Sequence, residues 1–144
     1  MDQSKNSILW LRLAIGWLFF YAGITKVLDP NWSSEGFIKG AKTFSNFYSW
    51  LALSNNINWV NFLNEWGLTL IGVTLILGVA IRWASYAGIL LMILYYLPGL
   101  QFPYVDHGFL VDQHIIYILI FHLIIKNKEH YCWGLQKFIH LKKK

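Results

Sequence analysis

Four ionisable side chains interrupt the apolar segments of this 144-residue sequence, and they are of types that hold and transfer protons. They are Lys26, Glu65, Asp112 and His114. An imidazole changes its charge near neutral pH, and in a water-poor site the pKa values of carboxylates and amines shift with burial and neighbouring charge. If the four side chains meet, they can exchange protons with a bound substrate. The competing interpretation is a salt bridge of Lys26 with Glu65 or Asp112 that fixes helix register and does no chemistry.

The apolar segment that carries Lys26 must position it. Arg12, Gly16, Phe19, Gly23 and Lys26 are spaced so that they share one face of a helix, and the other faces are almost wholly apolar. Glycines and cations on one face of such a helix turn toward neighbouring helices, while the apolar faces meet lipid. The sequence therefore predicts a membrane helix that packs this stripe inside the protein.

Composition assigns the rest of the chain to the same class. Hydrophobic residues make up 56% of it and charged residues only 13%, which is too apolar for an ordinary soluble domain. The net charge is +5, but no nucleic-acid-binding motif accompanies it, and we predict no nucleic-acid partner. The single cysteine, Cys132, excludes an intrachain disulfide and a paired-cysteine redox or zinc site.

Hydropathy predicts an all-α fold, an integral membrane four-helix bundle that forms one domain over residues 1–144. The predicted spans are about 8–28, 59–81, 83–100 and 109–125, and residues 126–144 form a basic cytoplasmic tail. Between spans one and two, apolar residues from Phe37 to Leu51 recur at helical spacing and predict an amphipathic interfacial helix. That helix either caps the bundle or also closes a lipophilic substrate site as a lid.

Lys and Arg residues beside the spans predict the orientation. Only Lys26, Lys39 and Lys42 belong to one side, whereas the other side carries most of the positive charge, including the terminal lysines. The positive-inside rule then places both termini in the cytoplasm, and we assign the chain to the cytoplasmic (inner) membrane of a bacterium or archaeon.

This orientation sorts the ionisable residues by depth. The outer half of the membrane receives Lys26, Glu65, Asp112 and His114. The inner half receives Arg12, Arg82 and His122. Because His114 and His122 are eight residues apart, or ~12 Å along a helix, they cannot ligate one metal ion together, and we predict neither metal nor haem.

The spacing of these residues resembles the DoxX family, in particular its DoxD-like branch associated with thiosulfate:quinone oxidoreductase. The resemblance covers about residues 8 to 125. It rests on Leu11-Arg12-x3-Gly16-x2-Phe19-x3-Gly23-x2-Lys26-x2-Asp29-Pro30, and then on Glu65, Gly72, Leu77-Gly78 and Arg82. It implies a four-helix membrane bundle and, in some relatives, a role beside quinones or as the membrane partner of soluble redox enzymes.

The first functional hypothesis is a membrane oxidoreductase subunit with a quinone as its cofactor. The candidate catalytic residues are Lys26, Glu65, Asp112 and His114. The candidate cofactor-binding residues are Tyr95, Tyr96, Arg12 and Arg82. Since no haem-attachment motif and no cluster-ligating cysteines are present, electrons would come from a partner subunit or a bound donor.

The second hypothesis is a non-catalytic accessory or assembly subunit of a larger membrane complex, with other membrane or redox subunits or a second copy of the chain as partners. Small size and many lipid-facing aromatic residues favour it. A transporter is a weaker third hypothesis, because the four spans show no clear inverted repeat.

Overall fold

The computed structural model describes residues 3–105 and 108–127, which form helices joined by short connections. The helices are α1 (Gln3–Val27), α2 (Glu35–Lys39), α3 (Ser45–Leu51), α4 (Ser54–Leu77), α5 (Ile81–Gly99) and α6 (Gln113–Lys126). Three strands lie between α5 and α6: β1 (Leu100–Gln101), β2 (Tyr104–Val105) and β3 (Gly108–Phe109). Residues 128–144, which include most of the predicted basic tail, lie outside the described residues.

Three helices are long and apolar enough to cross a membrane, over Asn6–Val27, Ser54–Leu77 and Ile81–Gly99. This confirms a multi-pass membrane protein. The fourth predicted span corresponds to α6, which has 14 residues. This helix rises ~21 Å, less than the ~30 Å thickness of a hydrocarbon core. It begins at Gln113 rather than at the predicted Phe109, because Phe109 pairs with Tyr104 in the sheet.

Helices α1 and α4 pack closely through glycines. A Cβ atom on Gly16 would lie 3.0 Å from Leu75 Cβ, and one on Gly23 would meet the backbone of Thr69. On the other helix, Gly72 lies against the backbone of Phe20. The glycine stripe predicted for α1 therefore faces its neighbour, and Arg12 and Phe19 on the same stripe are 2% and 1% exposed.

One hydrophobic core receives side chains from α1, α4, α5 and α6. At its centre the rings of Phe19 and Phe121 meet edge to face, 5.1 Å apart. The Phe121 ring covers Gly88 of α5, where a side chain would overlap it. Gly88 and Phe121 thus set the approach of α5 and α6.

The segment of residues 31–53, called here the cap segment, holds two short helices instead of the single helix predicted from Phe37 to Leu51. It is bound to the end of α5 by the backbone N–H of Lys42, which donates to the carbonyl of Pro98 at 2.9 Å. Proline has no N–H to offer the carbonyl four residues earlier. The hydroxyl of Tyr48 takes that place and donates to Leu94 O at 2.9 Å.

The three strands form an antiparallel sheet in the order β1-β2-β3, in the connection that the predicted spans 83–100 and 109–125 leave between them. Leu100 pairs with Val105, and Val105 with Gly108. The sheet turns the chain from α5 into α6 at the end of the protein that also carries Lys26 and the cap segment. Asp106 and His107 lie outside the described residues.

Candidate functional site

A cavity of about 280 Å³ opens between α1, α4, α5 and α6 near Lys26, and we call it the tyrosine–histidine cavity. Its polar wall consists of Lys26, Tyr95, Gln113 and His114. Its apolar wall consists of Leu18, Phe19, Ala22, Leu68, Met92 and Tyr117. Three of the predicted site residues therefore line one small cavity, although they belong to three different helices. They are Lys26 of α1, Tyr95 of α5 and His114 of α6.

His114 enters this cavity from the first turn of α6, and Asp112 holds it there. Asp112 is the N-cap of α6: its Oδ1 atom accepts from the backbone N–H groups of His114 at 2.9 Å and Ile115 at 3.2 Å. Its Oδ2 atom contacts His114 Nδ1. The two side chains are only 13% and 9% exposed. With Nδ1 directed at a carboxylate, Nε2 is the ring nitrogen left to contact a ligand.

Tyr95 lies beside His114 and connects three parts of the protein. Its ring meets the His114 ring edge to face at 6.0 Å and the Phe37 ring of the cap segment at 6.0 Å. Its hydroxyl donates to Asn64 Oδ1 on α4. Tyr95 is thereby fixed in place, as a residue that positions a bound ring must be.

Sequence reasoning missed Asn64, although a signal was present. Asn64 is 8% exposed and precedes Leu68, Ile71 and Leu75 at offsets of four, seven and eleven residues, all of them buried on the same face of α4. A polar side chain on that apolar face of a membrane helix needs a partner, and Tyr95 is that partner. Tyr117, which also lines the tyrosine–histidine cavity, was missed as well.

Tyr95 also lines a second space, which we call the apolar cavity. It measures about 200 Å³ and lies between the cap segment and the adjoining parts of α4 and α5. Its lining includes Phe37, Phe47, Tyr48 and Leu51 of the cap segment. The aromatic residues of the cap segment thus wall a cavity of their own and do not line the tyrosine–histidine cavity, and Tyr95 is common to both.

Lys26 forms no ion pair of 4.0 Å or less with Glu65 or Asp112. Its ammonium nitrogen lies 5.3 Å from the centroid of the Trp32 ring, a cation–π arrangement. Glu65 attracts it electrostatically from α4, where the neighbouring Thr69 packs on Gly23. The predicted salt bridge is therefore replaced by a longer-range attraction, and Glu65 does not line the tyrosine–histidine cavity.

The other predicted cofactor-binding residues lie elsewhere. Arg12 is buried on α1, fourteen residues before Lys26 and so ~21 Å away along the helix. Arg82 is exposed in the first turn of α5, ~20 Å along that helix from Tyr95. The hydroxyl of Tyr96 donates to Leu110 O at 2.7 Å. Depth along the helices separates Arg12 and Arg82 from the cavity, as the predicted orientation indicated. Tyr96 lies at nearly the depth of Tyr95 but on another side of α5, because successive residues of a helix point in different directions.

Among the described residues, no group of three His, Cys, Asp or Glu side chains could hold a metal ion. His122 is exposed on α6, away from His114.

Comparison with known proteins identifies a family. A family model described as DoxX matches residues 7–97, which include Lys26, Glu65, Arg82 and Tyr95 and end before Asp112 and His114. No curated protein and no solved structure matches the chain.

Proposed function

Because this chain belongs to the DoxX family of membrane proteins, we propose that it is the membrane subunit of a redox system and binds a quinone headgroup in the tyrosine–histidine cavity. One observation carries the proposal: an imidazole supported by a carboxylate, a lysine ammonium group and a fixed phenol converge on one otherwise apolar space. The DoxD-like assignment and the redox role are parts of this proposal.

The residues of the cavity suit a quinone headgroup. Such a headgroup is a flat apolar ring with carbonyl oxygens at opposite edges, so it needs apolar walls and hydrogen-bond donors. Phe19, Met92 and Tyr117 supply the walls, and Lys26 and His114 supply donors. The volume of about 280 Å³ is just below the range of about 300–1,000 Å³ of pockets that take a whole drug-sized ligand. The cavity therefore has room for a ring and not for a long tail.

A bound quinone supplies two-electron chemistry coupled to proton transfer. The residues of this chain would supply the protons and orient the ring. His114 Nε2 gives or takes a proton, and Asp112 stabilises the imidazolium form through Nδ1. The Lys26 ammonium group would donate a hydrogen bond, and Tyr95, whose ring already meets that of His114, would help to position the bound ring. Electrons come from a partner subunit or a bound donor.

The same proposal includes the membrane arrangement. We infer that α1, α4, α5 and α6 form a four-helix bundle, that the cap segment lies at the outer interface, and that both termini are cytoplasmic in the inner membrane. The Lys and Arg distribution supports this orientation. Cysteines introduced at Lys39 and Arg82 test it: a membrane-impermeant reagent added outside should label the first and spare the second.

Quinone binding to the purified protein tests the function. We expect quinone to co-purify in mild detergent and a short-tailed quinone to bind to protein freed of it. Ala22→Phe, which fills the cavity from α1, should weaken binding at least tenfold, whereas Ala14→Phe, on an exposed position of α1, should leave it unchanged. Equal binding in the two variants contradicts the site. No quinone in any preparation, together with stoichiometric partner subunits, would leave the accessory-subunit hypothesis standing.

A further inference from the structure

The apolar cavity has no part in the proton chemistry proposed above, and its walls point to a different ligand. Ile38, Val60, Leu91 and Leu94 contribute hydrocarbon to them. Its volume, about 200 Å³, is smaller than that of pockets that hold a whole ligand. The cavity has room for a segment of a hydrocarbon chain.

The polar side chains of this lining already have partners within the protein. Ser34 Oγ donates to Asn61 Oδ1 at 2.7 Å, and the hydroxyl of Tyr48 donates to Leu94 O at 2.9 Å. The hydroxyl of Tyr95 donates to Asn64. Three hydroxyl protons are therefore directed into the protein. Water needs two to four polar partners to stay in a cavity, so these walls favour hydrocarbon over water.

The mouth of the cavity is apolar as well. Phe37, Phe47, Trp59 and Leu63 belong to the lining and are 48%, 46%, 42% and 57% exposed. Large exposed apolar side chains in a membrane protein face lipid, and aromatic ones collect where hydrocarbon meets headgroups. An unfilled cavity there would deprive its walls of dispersion contacts, which a chain entering from the bilayer restores.

A lysine lies in the connection between the two short helices that wall this cavity. Lys42 is exposed in the connection between α2 and α3, and both of these helices contribute to the cavity wall. Lys39 is also exposed, but Glu35 holds it in an ion pair of 2.5 Å. An exposed lysine at an interface attracts anionic lipid headgroups.

We propose that the apolar cavity binds part of one acyl chain of an anionic phospholipid, whose phosphate lies near Lys42. This site is separate from the quinone site and does not depend on it. A lipid held here would contact Tyr95, which lines both cavities.

Photo-crosslinking from lipid tests the site. The protein is placed in quinone-free nanodiscs of phosphatidylglycerol, a small fraction of which carries a diazirine in the acyl chain. We expect adducts on Val60 to exceed those on Leu90, which is 60% exposed on another face. Leu94→Trp, which fills the cavity, should reduce the Val60 adduct several-fold, and Ile93→Trp, at an exposed neighbour, should not. Adducts on Val60 that equal those on Leu90, or that are the same in the two variants, overturn the proposal.

Further experiments identify the molecule that supplies the acyl chain. Leu91→Phe against Leu90→Phe is a second matched pair, should Leu94→Trp fail to fold. Replacing phosphatidylglycerol in the nanodiscs with phosphatidylcholine should lower the adduct yield, and so should Lys42→Ala. A yield that neither change lowers contradicts the choice of an anionic lipid. If a long-tailed quinone abolishes the adducts while a short-tailed quinone does not, the cavity holds the tail of the quinone, and the phospholipid assignment is wrong.

Discussion

Replacing Gly23 with alanine probes the contact that places Lys26 near Glu65. A Cβ atom on residue 23 would lie 2.9 Å from the carbonyl oxygen of Glu65 and closer still to Thr69. Ordinary van der Waals contact begins at 3.4 Å, so the α4 backbone must retreat by at least 0.5 Å, the difference between these two distances. Backbone atoms within a helix cannot give way alone, and the two helices must separate. Overpacking of this kind costs about 1–3 kcal/mol.

Gly67 on α4 is the matched control. A Cβ atom there would meet nothing within 4 Å. Alanine in place of glycine inside a helix gains about 0.5–1 kcal/mol from propensity alone, and Gly23→Ala receives the same gain. The two variants should therefore differ by about 1–3 kcal/mol, which corresponds to melting temperatures on the order of 3–10 °C apart.

Thermal unfolding in detergent, followed by tryptophan fluorescence, measures this difference. We expect Gly67→Ala to melt at or above the temperature of the parent protein and Gly23→Ala well below it. Equal melting temperatures would show that α1 and α4 are not in close contact at Gly23, and the placement of Lys26 beside Glu65 would lose its basis.

Three further predictions concern the same region. Asp112→Ala should destabilise the protein by about 0.5–2 kcal/mol through loss of the α6 cap, whereas Asp112→Asn should keep the cap; equal loss in both contradicts a capping role. Glu65→Gln should lower the melting temperature slightly, because Lys26 loses the attraction of Glu65, and exchanging the two residues should restore it; a double exchange that melts no higher than Glu65→Gln contradicts the attraction. Tyr48→Phe should cost about 1–3 kcal/mol, since the Leu94 carbonyl loses its donor. Burial raises the pKa of Tyr48 above its ordinary value of 10.0, so this stabilisation should be complete below about pH 10 and fall as pH rises further; a loss that is the same at pH 7 and pH 11 contradicts it.

The glycine stripe of α1 was predictable because helical period fixes which residues share a face, and small or charged residues mark the face that lipid does not touch. Lys26 and His114 were likewise assigned to the same end of the protein from the direction of each span, and the structure brings them to one cavity. The match to the DoxX family confirms the family that the spacing indicated.

The remaining features depend on contacts between segments distant in the sequence. Two cap helices form in place of one because Lys42 and Tyr48 bind the end of α5 around Pro98, which no local pattern shows. Asp112 is the N-cap of α6 and lies just before the helix, whereas the predicted span included it. Arg12 shares the face of Lys26 but lies at another depth, as the predicted orientation indicated, and it does not line the tyrosine–histidine cavity.

The central claim is that His114 is a hydrogen-bonding partner of a quinone bound in the tyrosine–histidine cavity. Affinity for a short-tailed quinone, measured on the parent protein, on His114→Leu and on His122→Leu, tests it most directly, because leucine removes both ring nitrogens and His122 is exposed on α6 away from His114. The account predicts that the affinity is at least tenfold weaker in His114→Leu and unchanged in His122→Leu. Equal affinity in the three proteins would contradict it.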